Sequence, residues 1–287
     1  MGEPMAAHLQ RAGFDVQTYD RNGKGNRRSI REAAKDAEAL VTMLPDGDMV
    51  REVVLQALPA LAAGAIVIDM SSSAPAATRK LGLLLSRKNI FLVDAPVSGA
   101  VAGARDATLA IMAGGDKAAL AKARPLLEKL GNQIFHVGPV GAGHAVKTLN
   151  NYLGAAGTLA GFEALLLAQA FGLDPQPMLE AINASTGHNY TTERKIPRQV
   201  LTGAFASGFK LALMTKDVGI AAGMARDLGL ETPYLRETLR LWRAALRELP
   251  AGADHTEIYR FQQRIATPSR AAASPPARSR RKRRRST

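Results

Sequence analysis

Short apolar runs alternate with amphipathic stretches through the first half of the chain. The apolar runs predict strands at 15–19, 39–43, 65–70, 90–94, 107–113 and 133–137. Helical periodicity between them predicts helices that include 48–57, 76–86 and 117–130. This alternation is typical of an α/β domain in which a parallel sheet is covered by helices.

From Gly143 onward the strand pattern stops. Helical patterns follow at about 142–171, 175–185, 194–202, 211–228 and 234–249. We therefore predict an α/β domain over residues 1–140 and an all-helical domain over residues 141–261, joined by the long first helix of the second domain.

The positive charge of the chain is concentrated at its C-terminal end. The 287 residues carry a formal net charge of +13, but residues 264–287 hold nine Lys and Arg and no acid, which leaves +4 for the rest. After Phe261 the sequence is mainly Ala, Ser, Pro and Arg, so we expect a basic disordered tail over residues 262–287. The run 281–285 is typical of nucleic-acid binding or of a localisation signal. Translation in a shifted reading frame would also produce a sequence of this kind. For the globular part, a charge of +4 does not favour a nucleic-acid partner.

Other features exclude several classes of protein. The chain has no cysteine, which excludes disulfide scaffolds and thiol nucleophiles, and its five histidines lack metal-ligand spacing, so we predict no metal site. The N-terminus has no basic region followed by an apolar one, as a secretory signal would. The longest apolar runs are 57–68, interrupted by Pro59, and 154–173, which contains Glu163. We interpret both as interior elements of a soluble, cytoplasmic protein without a membrane partner.

The N-terminal segment has the pattern of the second half of a dinucleotide-binding fingerprint. Gly2 precedes a predicted helix, Gly13 ends it, and the predicted strand that follows closes on Asp20. In the fingerprint a glycine opens the helix, and an acid about twenty residues later accepts the ribose hydroxyls. The same run occurs in many α/β proteins, so a purely structural role stays open.

Lys147 lies in a segment that carries no other charge until Glu163. On a helix Lys147 and Asn151 are i and i+4, so both project from one face. Burial would favour the neutral amine and let Lys147 act as a general acid or base near neutral pH, while Asn151 could hold an alcohol or carboxylate oxygen. The alternative is a lysine that reaches solvent from a helix end.

Three predicted strands end in turns that are typical of ligand-binding edges. Strand 90–94 is followed by a Pro-containing turn, and the amides and hydroxyl of Ser98 and Gly99 are placed to receive an anion such as a carboxylate. Ligands of open α/β sheets bind beyond the carboxyl ends of the strands, so segments 42–45 and 69–72 would line the same edge. Each segment could also be a plain turn.

Together these motifs resemble the β-hydroxyacid dehydrogenases, the family of 3-hydroxyisobutyrate dehydrogenase and tartronate semialdehyde reductase and, more distantly, of 6-phosphogluconate dehydrogenase. The resemblance extends from Met1 to about Arg260 and keeps the family's order of motifs. The matching segments are 1–6 for the end of the glycine fingerprint, 42–45 and 69–72 for two cofactor loops, 94–99 for the substrate motif, 141–151 for the catalytic helix and 216–217 for a late lysine near the nicotinamide.

The resemblance implies a Rossmann-type parallel-sheet domain followed by an all-α domain. It implies an oxidoreductase, assembled as a homodimer or homotetramer, that transfers a hydride between NAD(P) and the hydroxyl-bearing carbon of a small 3-hydroxy acid of the 3-hydroxyisobutyrate type. Lys147 would be catalytic, and Ser98, Gly99 and Asn151 would bind the substrate. The residues implied in cofactor binding are Gly2, Asp20, Arg21, Met43, Leu44, Pro45, Ser72 and Lys216.

Three residues bear on the kind of cofactor and of reaction. Asp20 favours NAD because an acid there binds the ribose 2′-hydroxyl, whereas Arg21 could pair with a 2′-phosphate, so NADP stays open. Imine reductases resemble the family but generally lack the lysine, so Lys147 favours alcohol chemistry.

The sequence departs from the family in three places. The first strand, with the first two glycines of the fingerprint, is absent, which indicates an N-terminally truncated chain, either from a start codon assigned too late or from damage. The stretch between Asp20 and Ala39 has room for only one helix, and the residues after Arg260 have no counterpart. Two other functions thus stay open: a non-catalytic remnant whose helical domain is an oligomerisation module, and a nucleic-acid binder driven by the basic tail.

Overall fold

The computed structural model describes residues 1–267. The strands of its first domain are β1 (Ala39–Thr42), β2 (Ile66–Asp69), β3 (Phe91–Asp94), β4 (Val97–Ser98), β5 (Ala110–Gly114) and β6 (Gln133–Gly138). Their order in the sheet is β1-β2-β3-β5-β4, with β6 paired to β5. The helices of this domain are α1 (Gly2–Arg11), α2 (Ile30–Ala34), α3 (Gly47–Ala57), α4 (Pro75–Ser86), α5 (Ala100–Arg105) and α6 (Lys117–Leu127).

Both faces of the sheet are covered by helices. Strand β2 is buried along its whole length, and its side chains alternate between two apolar clusters. Ile66 and Ile68 lie in a cluster with residues of α1 and α6, whereas Val67 lies in a cluster with residues of α3 and α4. The predicted α/β domain is confirmed, because successive side chains of a strand point to opposite faces and each face meets an apolar helix surface.

The predicted parallel sheet is a mixed one. Strands β1, β2 and β3 are parallel to one another, as is β6 to β5, but β5 is antiparallel to both β3 and β4. Strand β4 has only two residues, too few for a periodic pattern to predict it. It continues the line of β3 along β5, because the pairs Asp94–Gly114, Val97–Ile111 and Ser98–Ala110 keep a single antiparallel register.

Residues 15–19 form no strand, contrary to prediction. A strand needs a neighbouring strand as its hydrogen-bond partner, and the backbone of Thr18 is bonded to the loop that follows. Its N–H donates to Asn26 Oδ1 at 2.7 Å, and its carbonyl accepts from the Arg27 N–H at 3.0 Å. Within residues 1–267, strand β1 therefore pairs on one side only, with β2.

The second domain is all-helical, as predicted. Its elements are α7 (Ala142–Phe171), α8 (Pro175–Asn183), a π-helix (Thr191–Val200), α9 (Leu211–Asp227), α10 (Pro233–Glu248) and α11 (Ile258–Ala266). They enclose one apolar core in which Phe162, Leu165, Ile196 and Trp242 are fully buried. The amphipathic helices of this domain supply that core from their apolar faces.

Two helix predictions of this domain are corrected. Over segment 194–202 the predicted helix is a π-helix, which spans Thr191–Val200 and contains Pro197. Helix α11 continues to Ala266, so ordered structure extends past the predicted start of the tail, and Gln262 is buried. Residues 268–287, with most of the predicted tail and the basic run 281–285, lie outside the described residues.

Helix α7 is long and apolar enough, by length and composition, to cross a membrane. Its contacts identify it as a core helix, because it packs against α9, α11 and the π-helix and against strand β5. Its central side chains are buried in the second domain. The interpretation of 154–173 as an interior element agrees with this packing.

The first turn of α7 packs on the carboxyl ends of β3 and β5 with no room for a side chain at Gly143. A Cβ at that position would lie 2.6 Å from the Asp94 carbonyl oxygen and closer still to that of Met112. We expect Gly143→Ala to lower the free energy of unfolding by about 1–3 kcal/mol, because the backbone must shift to relieve the overlap.

Gly154, in the middle of the same helix, provides the matched control. No atom lies within 4 Å of the Cβ that alanine would add there. Gly154→Ala should raise the free energy of unfolding by about 0.5–1 kcal/mol, since alanine is favoured over glycine within helices. Urea denaturation of both variants measures the difference, and equal stabilities would contradict the close packing at Gly143.

Candidate active site

The carboxyl ends of three parallel strands meet at one edge of the sheet. The register pairs Thr42 of β1 with Asp69 of β2, and Asp69 with Asp94 of β3. The three predicted ligand loops start directly after these residues, so the structure brings them side by side. Helix α1 begins at this edge as well, because a Cβ added at Gly2 would lie 3.9 Å from the Cβ of Met43.

A buried carboxylate joins the first two loops. Asp69 Oδ1 accepts from Thr42 Oγ1 at 2.9 Å and from the Ser71 N–H at 3.0 Å, and its Oδ2 accepts from Ser73 Oγ at 3.0 Å. Ser71 Oγ in turn accepts from the Leu44 N–H at 2.9 Å. Loops 42–45 and 69–73 are therefore held in one arrangement by hydrogen bonds.

A second buried carboxylate holds the start of helix α7. Asp94 Oδ1 accepts from the Gly141 N–H at 2.7 Å, and its Oδ2 accepts from the His144 N–H at 2.8 Å. Burial raises the pKa of Asp94, while His144 and the backbone N–H groups oppose that rise. A negative charge is stabilised at a helix N-terminus. Asp94 thus fixes α7 to the sheet edge one turn before Lys147.

Lys147 is half-buried and lies near two charged groups of helix α9. Burial lowers the pKa of Lys147; the carboxylate of Asp217 opposes this change, and the ammonium group of Lys216 adds to it. A larger fraction of Lys147 is therefore the neutral amine at a given pH than for a lysine in water. The amine form is the one that accepts a proton.

Asn151 is buried and bonded to an acid that the sequence analysis did not select as a site residue. Asn151 Nδ2 donates to Asp217 Oδ2 at 2.5 Å, and the other oxygen of Asp217 lies 3.0 Å from Lys216 Nζ. Asp217 is only 3% exposed. The signal in the sequence is an acid on the apolar face of α9, where Met214, Val218 and their neighbours are buried.

Lys216 reaches from the helical domain to the first domain. Its Nζ donates to the carbonyl oxygen of Pro45 at 3.0 Å and to that of Ser72 at 2.8 Å. The lysine therefore bridges the two loops that resemble the family's cofactor loops. The structure brings together Leu44, Pro45, Ser72 and Lys216, as the motifs predicted.

Ser98 and Gly99 lie at the turn between β4 and α5. Gly99 has φ of +130°, a conformation that favours glycine, and an added Cβ would lie 3.2 Å from Leu109 Cδ2. Ser98 lies four residues after Asp94, which binds the start of α7. In the part of the chain that the structure describes, no hydrogen bond joins Ser98 Oγ to another residue.

Asp20 and Arg21 are not brought to the other predicted residues by any hydrogen bond or ion pair within residues 1–267. Both side chains are exposed. Asp20 Oδ1 accepts from the Asn22 N–H at 2.8 Å, which closes a local turn. The carbonyl oxygen of Asp20 accepts from the Gly23 N–H at 3.0 Å in the same turn.

A groove of about 670 Å³ lies between α4, α9 and α10 and borders Lys216. On α7 it is lined by Ala145, whereas Lys147 and Asn151 do not line it. The groove is therefore separate from the predicted catalytic pair and adjoins the site only at Lys216.

Two family models together match nearly all of the described chain. Residues 1–138 match the NAD binding domain of 6-phosphogluconate dehydrogenase. Residues 141–262 match the model described as NAD-binding of NADP-dependent 3-hydroxyisobutyrate dehydrogenase.

Relatives with known names cover both domains. The NAD-dependent L-serine dehydrogenase of Pseudomonas aeruginosa is 36% identical over 280 residues, which is 91% of this chain and 94% of the relative. The 2-(hydroxymethyl)glutarate dehydrogenase of Eubacterium barkeri is 35% identical over 246 residues, which is 81% of this chain and 82% of the relative. Among solved structures, the Mycobacterium tuberculosis 3-hydroxyisobutyrate dehydrogenase with L-serine matches with a TM-score of 0.87 at 32% identity, over 92% of this chain and 96% of that one.

The motifs, the fold and these relatives agree on both domains. The predicted resemblance and the Rossmann-type domain followed by a helical domain are confirmed. The chain belongs to the β-hydroxyacid dehydrogenase family and is an NAD(P)-dependent oxidoreductase that transfers a hydride between the cofactor and the hydroxyl-bearing carbon of a small hydroxy acid.

Proposed function

We propose that this protein oxidises a carboxylic acid with a hydroxymethyl group on the carbon next to the carboxyl group, and that Lys147 is the general base. The observation that carries the proposal is the half-buried Lys147 beside the bonded pair Asn151 and Asp217. The names of three relatives support the substrate class. L-serine, 3-hydroxyisobutyrate and 2-(hydroxymethyl)glutarate all have a primary alcohol at the position β to a carboxylate.

In the oxidation direction, the neutral amine of Lys147 accepts the hydroxyl proton of the substrate. A bound nicotinamide would supply the hydride acceptor, so that the carbon bearing the hydroxyl group is oxidised to an aldehyde. Lys147 becomes an ammonium group, and the reverse reaction uses that group as the acid. Its lowered pKa raises the fraction of neutral amine at a given pH, and a general acid or base is most effective when its pKa lies near the working pH.

Asn151 would orient the substrate oxygen. A carboxamide has two N–H donors and an oxygen with two lone pairs. Asp217 takes one N–H of Asn151, and Asn150 Nδ2 donates to its oxygen at 3.1 Å. One N–H and one lone pair are left for a substrate, and the bond to Asp217 fixes the plane of the amide. Holding a reactant in this way supplies part of the rate.

Ser98 and Gly99 would hold the substrate carboxylate. Ser98 Oγ makes no other hydrogen bond in the described part of the chain, and Ser98 lies four residues after Asp94, which binds the start of α7. A hydroxyl and backbone amides at the end of a strand suit an anion.

The residues at the sheet edge fit a nicotinamide cofactor. Gly2 and Met43 lie together at the start of α1, where a phosphate group is favoured, and Leu44, Pro45, Ser72 and Lys216 lie between that point and Lys147. Asp20 and Arg21 would contact the adenosine end, and Asp20 favours NAD over NADP.

The experiment uses the full chain with NAD⁺ or NADP⁺ and follows reduced cofactor by absorbance. We expect turnover with L-serine, 3-hydroxyisobutyrate or 2-(hydroxymethyl)glutarate and none with lactate, whose hydroxyl is α to the carboxylate, or with ethanol, which has no carboxylate. Turnover of lactate or ethanol in preference to all three acids would contradict the substrate class.

The same assay separates catalysis from the non-catalytic remnant, which would reduce no cofactor. The nucleic-acid hypothesis concerns residues outside the described part of the chain. DNA binding that depends on salt and survives removal of residues 1–260 would support it.

We also propose that the protein is cytoplasmic and self-associates through the outer face of α7. Large apolar side chains are exposed along that face, among them Leu153 at 68%, Leu167 at 72% and Phe171 at 83%. A row of exposed large apolar side chains is typical of protein–protein interfaces. A second copy of the chain is a suitable partner because apolar homo-oligomer interfaces pair one patch with itself.

The double variant Leu153→Glu, Leu167→Glu should therefore be monomeric, because two charges would be buried in the interface. Light scattering after size exclusion measures the mass. Leu83→Glu on α4, where Leu83 is 67% exposed, is the control and should keep the wild-type mass. A monomeric wild-type protein would contradict the proposed interface.

A further inference from the structure

His144 lies three residues before Lys147 on α7 and is fully buried. Its ring contacts helix α4 and the loop after β2, which both belong to the first domain. Nδ1 lies 2.8 Å from Thr78 Oγ1 on α4, and Nε2 lies 3.1 Å from the carbonyl oxygen of Ser71. Because a carbonyl oxygen only accepts, Nε2 carries the hydrogen in this bond.

Two carboxylates flank the same ring. Asp69 Oδ2 lies 3.6 Å from Nε2, and Asp94 Oδ2 lies 3.7 Å from Nδ1. These acids end neighbouring strands, and both accept several further hydrogen bonds from loop and helix groups. The imidazole therefore lies between the two buried carboxylates that organise the sheet edge.

A continuous path of hydrogen bonds runs from a cofactor loop to the catalytic helix. The Leu44 N–H donates to Ser71 Oγ, and the Ser71 carbonyl accepts from His144. His144 is one turn from Lys147 on the same rigid helix. Lys216 joins the same two loops to helix α9, so His144 is a second tie between these loops and the helical domain.

We propose that His144 is a positioning residue for the hydride-transfer reaction. It fixes the separation between Lys147 and loops 42–45 and 69–72, and so the alignment of the proton acceptor with the bound cofactor. This inference rests on the proposed role of Lys147. Rates of such reactions depend steeply on position, and a misplacement of about 1 Å costs about 100-fold.

His144→Leu removes the donor to the Ser71 carbonyl and fills the place of the imidazole with an apolar side chain of similar volume. We expect kcat to fall about 100-fold, with little change in the KM of the hydroxy acid, since His144 is buried behind the loops and does not contact substrate. With substrate deuterated at the hydroxymethyl carbon, the isotope effect on kcat should rise, because hydride transfer becomes rate-limiting. His144→Gln keeps an N–H donor and should recover most of the lost kcat.

His255 provides the matched control. It is the other buried histidine, 5% exposed, and its ring stacks on Trp242 inside the helical domain. His255→Leu should lower the thermal midpoint without altering the isotope effect on kcat. An equal loss of kcat in both leucine variants would reduce the role of His144 to general stability and overturn the proposal.

Hydrogen–deuterium exchange gives a readout that needs no turnover. In His144→Leu, the amides of Leu44 and of the first turn of α7 should exchange faster than in the wild type, and in His255→Leu they should not. If the wild-type protein turns over no hydroxy acid, the proposed function fails, whereas unchanged exchange in His144→Leu overturns the proposed tie itself. Thr78→Val, which removes the partner of Nδ1, carries the same test if His144→Leu does not fold.

Discussion

Lys147→Ala should lower kcat by about 10²–10⁴-fold, the range that a positioned acid or base supplies. Cofactor binding should persist, because the loop contacts of Leu44, Pro45 and Lys216 do not involve Lys147. Steady-state kinetics and titration of NADH fluorescence measure the two quantities separately. The exposed Lys80, on α4, supplies the control Lys80→Ala, which should behave as the wild type.

Lys147→Arg tests whether proton release matters as well as charge. A guanidinium group stays protonated at all accessible pH values, so the variant keeps the positive charge but cannot act as a base. It should be as slow as Lys147→Ala in the oxidation direction. Full activity of either variant would show that another group accepts the proton.

The pH dependence follows from the lowered pKa of Lys147. Oxidation needs the neutral amine, so its rate should rise with pH through that pKa, and the rise should lie at lower pH than for an ordinary lysine. Reduction of the aldehyde needs the ammonium group, so its rate should fall through the same range. Both limbs should be absent from the residual activity of Lys147→Ala.

Lys216→Met should raise the KM of the cofactor at least tenfold and also destabilise the protein. The substitution removes the donors to the carbonyl groups of Pro45 and Ser72, so the two loops lose their link to α9. It also removes the ammonium group that lies 3.0 Å from the carboxylate of Asp217, which leaves Lys147 as the nearby cation. Breaking a buried ion pair lowers the free energy of unfolding by about 3–5 kcal/mol. Since the Lys216 side chain is 27% exposed, we expect a smaller loss, of about 2 kcal/mol.

A double variant separates the two effects. Lys216→Met with Asp217→Asn removes both members of the ion pair, so its free energy of unfolding should recover towards that of the wild type, while the KM of the cofactor stays high. Guanidinium denaturation and initial rates at varied NAD⁺ measure these outcomes. If the single and double variants are equally stable, the pair Lys216–Asp217 contributes nothing to folding.

Strand and helix patterns predicted most elements because they depend on neighbours in the sequence. The apolar run of β2 and the helical spacing of the buried residues of α7 are local features of the sequence, and so is the placement of Lys147 and Asn151 on one helix face. The pattern over 15–19 also fits a strand, but pairing is not local. Without a neighbouring strand, Thr18 bonds to Asn26 and the segment stays irregular.

Local patterns in the sequence therefore predicted the class of fold, the change from strands to helices near Gly143 and the residues that carry the family's motifs. Which of these residues contact one another is seen only in the folded chain. Asp217 contacts Asn151 across 66 positions of the chain, Lys216 reaches Pro45 across 171, and His144 meets Ser71 across 73. Such contacts depend on how the helical domain packs on the sheet edge, which no local period of hydrophobic and polar residues encodes.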